Sequence, residues 1–495
     1  MRVDGNTTSL SDRRYTFVPS RSHSMTHSDF SRPASISAGL AGIALVATAG
    51  VFVVNEWGAV TGLDGLTAAL VLAVTLLLAL RSHAKEMIFL ALTLALTGLA
   101  LVSLQDAPAK ILHALQTAGF IAAIFTALAT LRAVAESSPA IRRSGQYLAA
   151  QPPGRRYAAL TLGGHAFTLF LNYGSIVLLG SMAVTRDDPE PDARIRALRT
   201  KRMLLAVQRG FVSAIIWSPL SLSVAITLTL LPGARWVDII FPCLVSSFLL
   251  FICGWAMDAR ARPPVKPQAR QPRAPTGAWR ALAPLGLLLL ILGGLLSGLH
   301  SLTGIRTIGL VVGVVPCVAA VWLSIIARDW RNGLTFGGRA QAYVTQDLPA
   351  LSKEILILMS AGYIGSIGAP IIEPLLASAG LDPAEMPAWS VLLLLIWLLP
   401  LAGQFGMNPI LSFSLIAPLL PSAETMGLSS SNIAAAALAG FALSGASSPF
   451  TATNLLTGTL GNVSAFEVGV RWNGTYTLLA GSLISIWIGI CAFLL

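Results

Sequence analysis

The chain is 495 residues long, 55% hydrophobic and only 11% charged, where an ordinary soluble domain carries roughly 25% charge. That composition excludes a string of soluble domains and marks an all-α polytopic membrane protein. The net charge of +11 does not call for a nucleic-acid partner, because the basic residues cluster in short loops between apolar runs, as the positive-inside rule predicts.

Residues 1–35 are rich in Ser and Arg and lack the apolar core and cleavage site of a signal peptide. They read as a disordered basic tail in the cytoplasm. Apolar runs of adequate length then predict about eleven transmembrane helices, near 36–56, 64–81, 86–104, 110–134, 203–231, 236–257, 281–300, 305–327, 351–375, 431–460 and 472–494. Two further apolar stretches, 158–184 and 388–421, do not fit as simple crossings. Arg142, Arg143, Arg155 and Arg156 precede the first, and Arg194, Arg196, Arg199, Lys201 and Arg202 follow it. Both flanks are therefore expected in the cytoplasm, which makes the segment a re-entrant hairpin with NYGS (172–175) at its tip.

The second stretch carries GQFGMNP (403–409) at its tip, but its flanks are acidic or neutral (Asp382, Glu385, Glu424), so it is expected to enter from outside. With the N-terminus inside, 29 of 33 Lys and Arg fall on the cytoplasmic side; Lys110, Arg235 and Arg306 fall outside, and Arg209 lies within a span. A basic, Pro-rich linker, 259–280, divides a first half, 36–258 with its core at 110–258, from a second half, 281–495.

The halves repeat each other. Residues 111–125 (ILHALQTAGFIAAIF) align with 354–368 (EILILMSAGYIGSIG), pairing Gly119 with Gly362. Residues 210–219 (GFVSAIIWSP) align with 440–449 (GFALSGASSP) at an offset of 230, which continues through Thr227 and Thr457. Between these lies a looser pair, Asn172 and Asn408. Since 110–134 is expected to run inward and 351–375 outward, the repeats are inverted. Pro219 and Pro449 interrupt their spans by removing a backbone donor, and the half-helix ends so freed present amides and partial positive charge to a ligand. Non-helical backbone at membrane depth requires a watery cavity or a protein surround.

Paired hairpins, each followed by a span interrupted at a Ser/Thr/Asn-rich motif, resemble the ion transporter superfamily of citrate, dicarboxylate and arsenite carriers. The resemblance covers roughly residues 110–495. It implies that hairpin tips and breaks jointly hold an anionic substrate and its coupling cations, and that the carrier is a homodimer. Carried over, the first-half candidates are Asn172, Gly174 and Ser175 at the tip and Ser218 and Pro219 at the break. The second-half candidates are Gln404, Asn408 and Pro409, then Ser447, Ser448, Thr451, Thr453 and Asn454. The first break reads WSPLSLS and the second SSPFTATN, so the half-sites are chemically unequal and the second is expected to coordinate more of the ligand.

Two auxiliary residues stand out. Arg209 either snorkels to the cytoplasmic face or contacts substrate, and His165 on the first hairpin either titrates or bonds a neighbouring carbonyl. No Asp or Glu lies mid-span, which leaves sodium or a proton through His165 as the coupling ion; no other cofactor and no metal site is expected. The four cysteines show no CxxC spacing. The expected function is cation-coupled secondary transport of a small organic anion by alternating access, in a bacterial inner membrane with the N-terminus in the cytoplasm. Export of an oxyanion or toxic compound, and a passive channel, are the alternatives. ALSG (442–445) lacks the partners of a serine hydrolase, and no GxxxxGK[ST] loop is present, so no enzyme activity is expected.

Overall fold

The computed structural model describes residues 36–58, 62–184, 192–231, 233–261, 279–328, 333–378 and 386–493. The 1–35 tail, most of the 259–280 linker, Asp382 and Glu385 lie outside the described residues. Three apolar helices open the chain: α1 (Ile36–Glu56), α2 (Asp64–Ala79) and α3 (Ala84–Ser103). A capping box between His83 and Glu86 starts α3, which then turns Ile88, Leu94 and Val102 outward. In a multi-pass membrane protein such a surface faces lipid.

A 31-residue helix, α4 (Ala107–Ser137), follows, then the amphipathic α5 (Pro139–Ala149). The first hairpin is α6 (Pro153–Leu171) and α7 (Gly174–Val184); it leads into α8 (Ala193–Ile215), α9 (Leu222–Leu230) and α10 (Trp236–Arg260). The second half runs through α11 (Ala283–Thr303), α12 (Thr307–Ala327), α13 (Phe336–Ala342), a π turn at Tyr343–Asp347, α14 (Leu348–Ala350) and α15 (Ser352–Ser378). The second hairpin is α16 (Ala388–Gln404) and α17 (Pro409–Ile416). After it come α18 (Ser430–Ser447), α19 (Ala452–Gly461), a second π turn at Glu467–Trp472 and α20 (Gly474–Phe493).

Among the described residues nine helical runs are long and apolar enough to cross a membrane. The expected crossing at 64–81 is a helix of 16 residues, and that at 203–231 resolves into two helices, of which α8 starts ten residues early in charged sequence. Asp192 explains the early start: its side chain accepts the Arg194 amide at 2.7 Å and caps the helix.

Glycines fix how the helices meet. α4 and α15, which carry the 111–125 and 354–368 repeats, pack together where a Cβ on Gly362 would strike Ile121. Each hairpin's first arm lies against the helix that follows it. A Cβ on Gly210 would run into the Thr161 carbonyl, and one on Gly440 into that of Leu395. Arg339 closes the end of α4, donating from Nη2 to the Ala133 carbonyl (2.9 Å) and from Nε to Ser137 Oγ (3.1 Å), while pairing with Asp347. A cation near a helix C-terminus also interacts favourably with the helix dipole.

Candidate functional site

Both broken helices are interrupted after the same kind of turn and stitched by the same bonds. In the first break, 216–221, Ser223 Oγ donates to the Ile215 carbonyl (2.6 Å), Ser221 Oγ to that of Ser218 (2.7 Å), and Ser218 Oγ accepts the Leu220 amide (3.2 Å). In the second, 448–451, Thr453 Oγ1 donates to the Gly445 carbonyl, Thr451 Oγ1 to that of Ser448 (2.8 Å), and Ser448 Oγ accepts the Phe450 amide (3.3 Å). Every participant differs by 230 residues from its counterpart. Hydroxyls thus take up backbone groups that Pro219 and Pro449 leave without helical partners, which lipid could not satisfy.

The breaks diverge in what is added. Where the first has Val224, the second has Asn454, fully buried. Asn454 Nδ2 lies 2.8 Å from the Ser448 carbonyl and within reach of those of Gly445 and Ala446, and its Oδ1 accepts from Gln208 Nε2 at 2.7 Å. Gln208 Oε1 in turn accepts from Asn473 Nδ2 (3.0 Å), and Asn473 Oδ1 from Arg209 Nε (3.1 Å). Arg209 also donates to Tyr157 (3.3 Å) and lies 4.3 Å over the Tyr476 ring. Arg209 is 4% exposed and does not extend to water. It makes no ion pair with a described residue, so an uncompensated cation stands two residues behind the contact between α8 and the second break.

The second hairpin tip stays with the break of its own half. Ser448 Oγ donates to the Gly403 carbonyl (2.6 Å), and Gln404 Nε2 approaches Ser447 Oγ (3.4 Å). Gly403 admits this contact because a Cβ there would sit 2.8 Å from Ser448 Cβ. Thr451, the N-cap of α19, makes no side-chain capping bond, whereas Ser221 accepts the Val224 amide to cap α9 (3.4 Å). The Asn454 amide bonds the Thr451 carbonyl instead (3.1 Å), so the first two amides of α19, like those of α9, bond no described residue; those of α19 lie beside Phe450 and Phe405, which are 60% and 81% exposed. The first break is closed. Trp217 occupies the place of Ser447, stacks on His165 and donates to its Nε2 (3.1 Å). Since an indole N–H only donates, His165 holds its proton on Nδ1, toward Ser213 Oγ (2.9 Å).

Asn172 ends α6 with φ of 49°, and its side-chain amide bonds no described residue. Ser175 Oγ donates to the Asn172 carbonyl (2.8 Å), and Gly174 brings the tip close to Glu136 at the end of α4: a Cβ there would lie 3.3 Å from Oε1. Asn408 caps α17, accepting the Ile410 amide (2.9 Å), with Pro409 at the first helical position. The second tip's positive-φ residue is Gly406 (φ 88°), so Asn172 matches Gly406 in conformation, not Asn408. Sequence reasoning passed over Gln208, Asn473, Tyr157, Ser221 and Ser223. For the two serines the signal was present, since they stand 230 residues before Thr451 and Thr453.

No family model matches the chain, and no curated protein matches it in sequence. Two solved structures share its architecture. The Alcanivorax borkumensis YdaH transporter, described as having an unusual topology, superposes with a TM-score of 0.56 at 16% identity, over 83% of this chain and 99% of that one. This chain has a transporter fold. Neisseria gonorrhoeae MtrF, from a class of antimetabolite efflux pumps, superposes with a TM-score of 0.54 at 13% identity, over 84% of this chain and 96% of that one. At these identities the likeness is one of fold.

Proposed function

We propose that this transporter is a cation-coupled secondary carrier of a small organic anion, working by alternating access between two inverted halves, as in the ion transporter superfamily its motifs resemble. The observation that carries the reading is the pair of helix breaks built from one hydrogen-bond scheme, each backed by a hairpin. Repeated, interrupted helices of this kind form midplane binding sites in secondary transporters. The substrate's negative charge meets the first amides of α19 and the field of Arg209, while the Gln404 amide supplies donors beside the exposed turn and the Ser447 and Thr451 hydroxyls, whose protons go to backbone carbonyls, supply oxygens for the coupling cation. Sodium is the favoured coupling ion, because both ring nitrogens of His165 are engaged and a proton on Nε2 would break the Trp217 bond.

Purified protein in proteoliposomes tests this. A sodium gradient should drive saturable uptake of a mono-, di- or tricarboxylate, and Ser448→Ala should reduce it at least tenfold. Flux that never saturates would identify a channel instead. Export of a toxic compound is the second reading, favoured by the fold shared with an efflux pump; deletion producing sensitivity to a toxicant, without a growth defect on carboxylates, would select it.

A further inference from the structure

A cavity of about 450 Å³ opens where the C-terminal end of α9 meets the N-terminal ends of α10 and α12, within the size range of small-molecule sites. Arg235, Arg306 and His300 line it. Two of these are the more telling because the charge distribution leaves just three basic residues outside, and Arg235 and Arg306 are two of the three. Both immediately precede helices, and neither side chain caps the turn it precedes, so the first amides of α10 and α12 lack helical partners.

The cations are held in place yet keep donors to spare. Arg235 binds Asp238 through Nε (2.7 Å) and Nη2 (3.0 Å), and Arg306 binds Glu56 through Nε (2.8 Å) and Nη2. In each guanidinium Nη1 bonds no described residue. Arg306 also rests 4.8 Å over the Phe120 ring, which forms part of the wall. His300 donates from Nδ1 to the Ile305 carbonyl (2.8 Å), leaving Nε2 free. A further polar group points to a ligand: Thr307, 6% exposed, lines the cavity, and its hydroxyl bonds no described residue. With no bond to take it up, that hydroxyl is open to whatever occupies the cavity. Phe120, Leu228, Ala234, Trp236 and Ile308 supply the apolar part of the wall, beside Thr229 and Ser301.

We propose that this cavity binds a small organic carboxylate, its apolar body against Phe120 and Trp236 and its charge on Arg235, Arg306 and the Thr307 end of α12. The site is separate from the breaks. Seven residues along α9 separate Ser221 of the first break from Leu228 in the cavity wall, about 10 Å at the helical rise. On the face the charges assign to the outside, it would gather anions at the mouth of the carrier; the binding claim itself does not depend on the transport reading.

Benzoate is a suitable probe, with benzyl alcohol as its neutral counterpart, titrated by calorimetry into the full-length protein in detergent without any gradient. Benzoate should bind saturably and benzyl alcohol should not. Arg235→Gln and Ser301→Glu, the latter placing a negative charge on an exposed cavity residue, should each weaken benzoate at least tenfold. Ser448→Ala should leave it within twofold. Arg306→Gln uncouples Glu56 and risks the fold, so the exposed pair of variants decides. Equal binding of alcohol and acid, unchanged binding in both cavity variants, or loss confined to Ser448→Ala would overturn the proposal. Because the measurement needs no transport, absence of carboxylate flux in liposomes would leave its outcome readable.

Discussion

Asn454 holds the second break in shape: one amide faces three backbone carbonyls on one side and Gln208 on the other. Asn454→Ala leaves the Gly445 and Ser448 carbonyls with their threonine partners but takes the bond from the Ala446 carbonyl and from Gln208 Nε2, at about 1–3 kcal/mol for each buried group that finds no substitute. The variant should melt several degrees lower in detergent and lose transport. Val224→Ala, at the equivalent place in the first half, should melt much closer to wild type, because it removes only apolar contacts. Arg209 gives a second contrast. Arg209→Lys keeps the charge but cannot reproduce the planar contacts with Asn473, Tyr157 and Tyr476, so initial uptake rates should fall at least tenfold if the carrier needs a fixed cation there. Rates unchanged in the lysine variant would show that charge alone suffices.

At this scale the sequence was readable in part. Ser-Pro punctuation located both breaks, since proline's lost donor is a local property. The partners of Arg209 were not readable, because Asn473 lies 264 residues away and only the packing of α8 against the segment before α20 brings them together. Asn172 and Asn408 misled as a pair for a related reason. Asn serves both as a positive-φ residue and as a helix cap, and the two tips use these different properties.

Between elements, the close approach of each hairpin arm to its broken helix depends on one glycine. Gly210→Ala and Gly440→Ala each push a methyl group into a backbone carbonyl, which cannot move aside as a flexible side chain would. Overpacking of this kind typically costs about 1–3 kcal/mol. Both variants should lower the melting temperature, by similar amounts, since both contacts are helix against carbonyl. Gly286→Ala, where a Cβ would meet nothing within 4 Å, should not lower it. The repeat was visible at exactly these positions, Gly210 with Gly440, because close helix contacts admit few residue types. The crossings were less sharply bounded: the α8 start depends on a cap, Asp192, within charged sequence that hydropathy discounts.

For the whole molecule, alternating access requires the hairpins and broken helices to move against the α4 and α15 pair. The first tip now stands beside the last turn of α4, where Gly174 approaches Glu136. Under the charge-derived topology that end of α4 is cytoplasmic. A carrier cycle that moves the first hairpin against α4 must separate these two residues, whereas a static channel would keep them together throughout. Gly174→Cys combined with Glu136→Cys, in a background with Cys243, Cys253, Cys317 and Cys491 replaced, places two thiols where mercury can bridge them. Bridging should arrest sodium-driven uptake by more than tenfold, reversibly with a dithiol, while either single cysteine stays active under the same treatment. Cross-linked protein that still transports at the unbridged rate would mean that the first hairpin does not leave α4 during the cycle, and the carrier mechanism would have to move some other part.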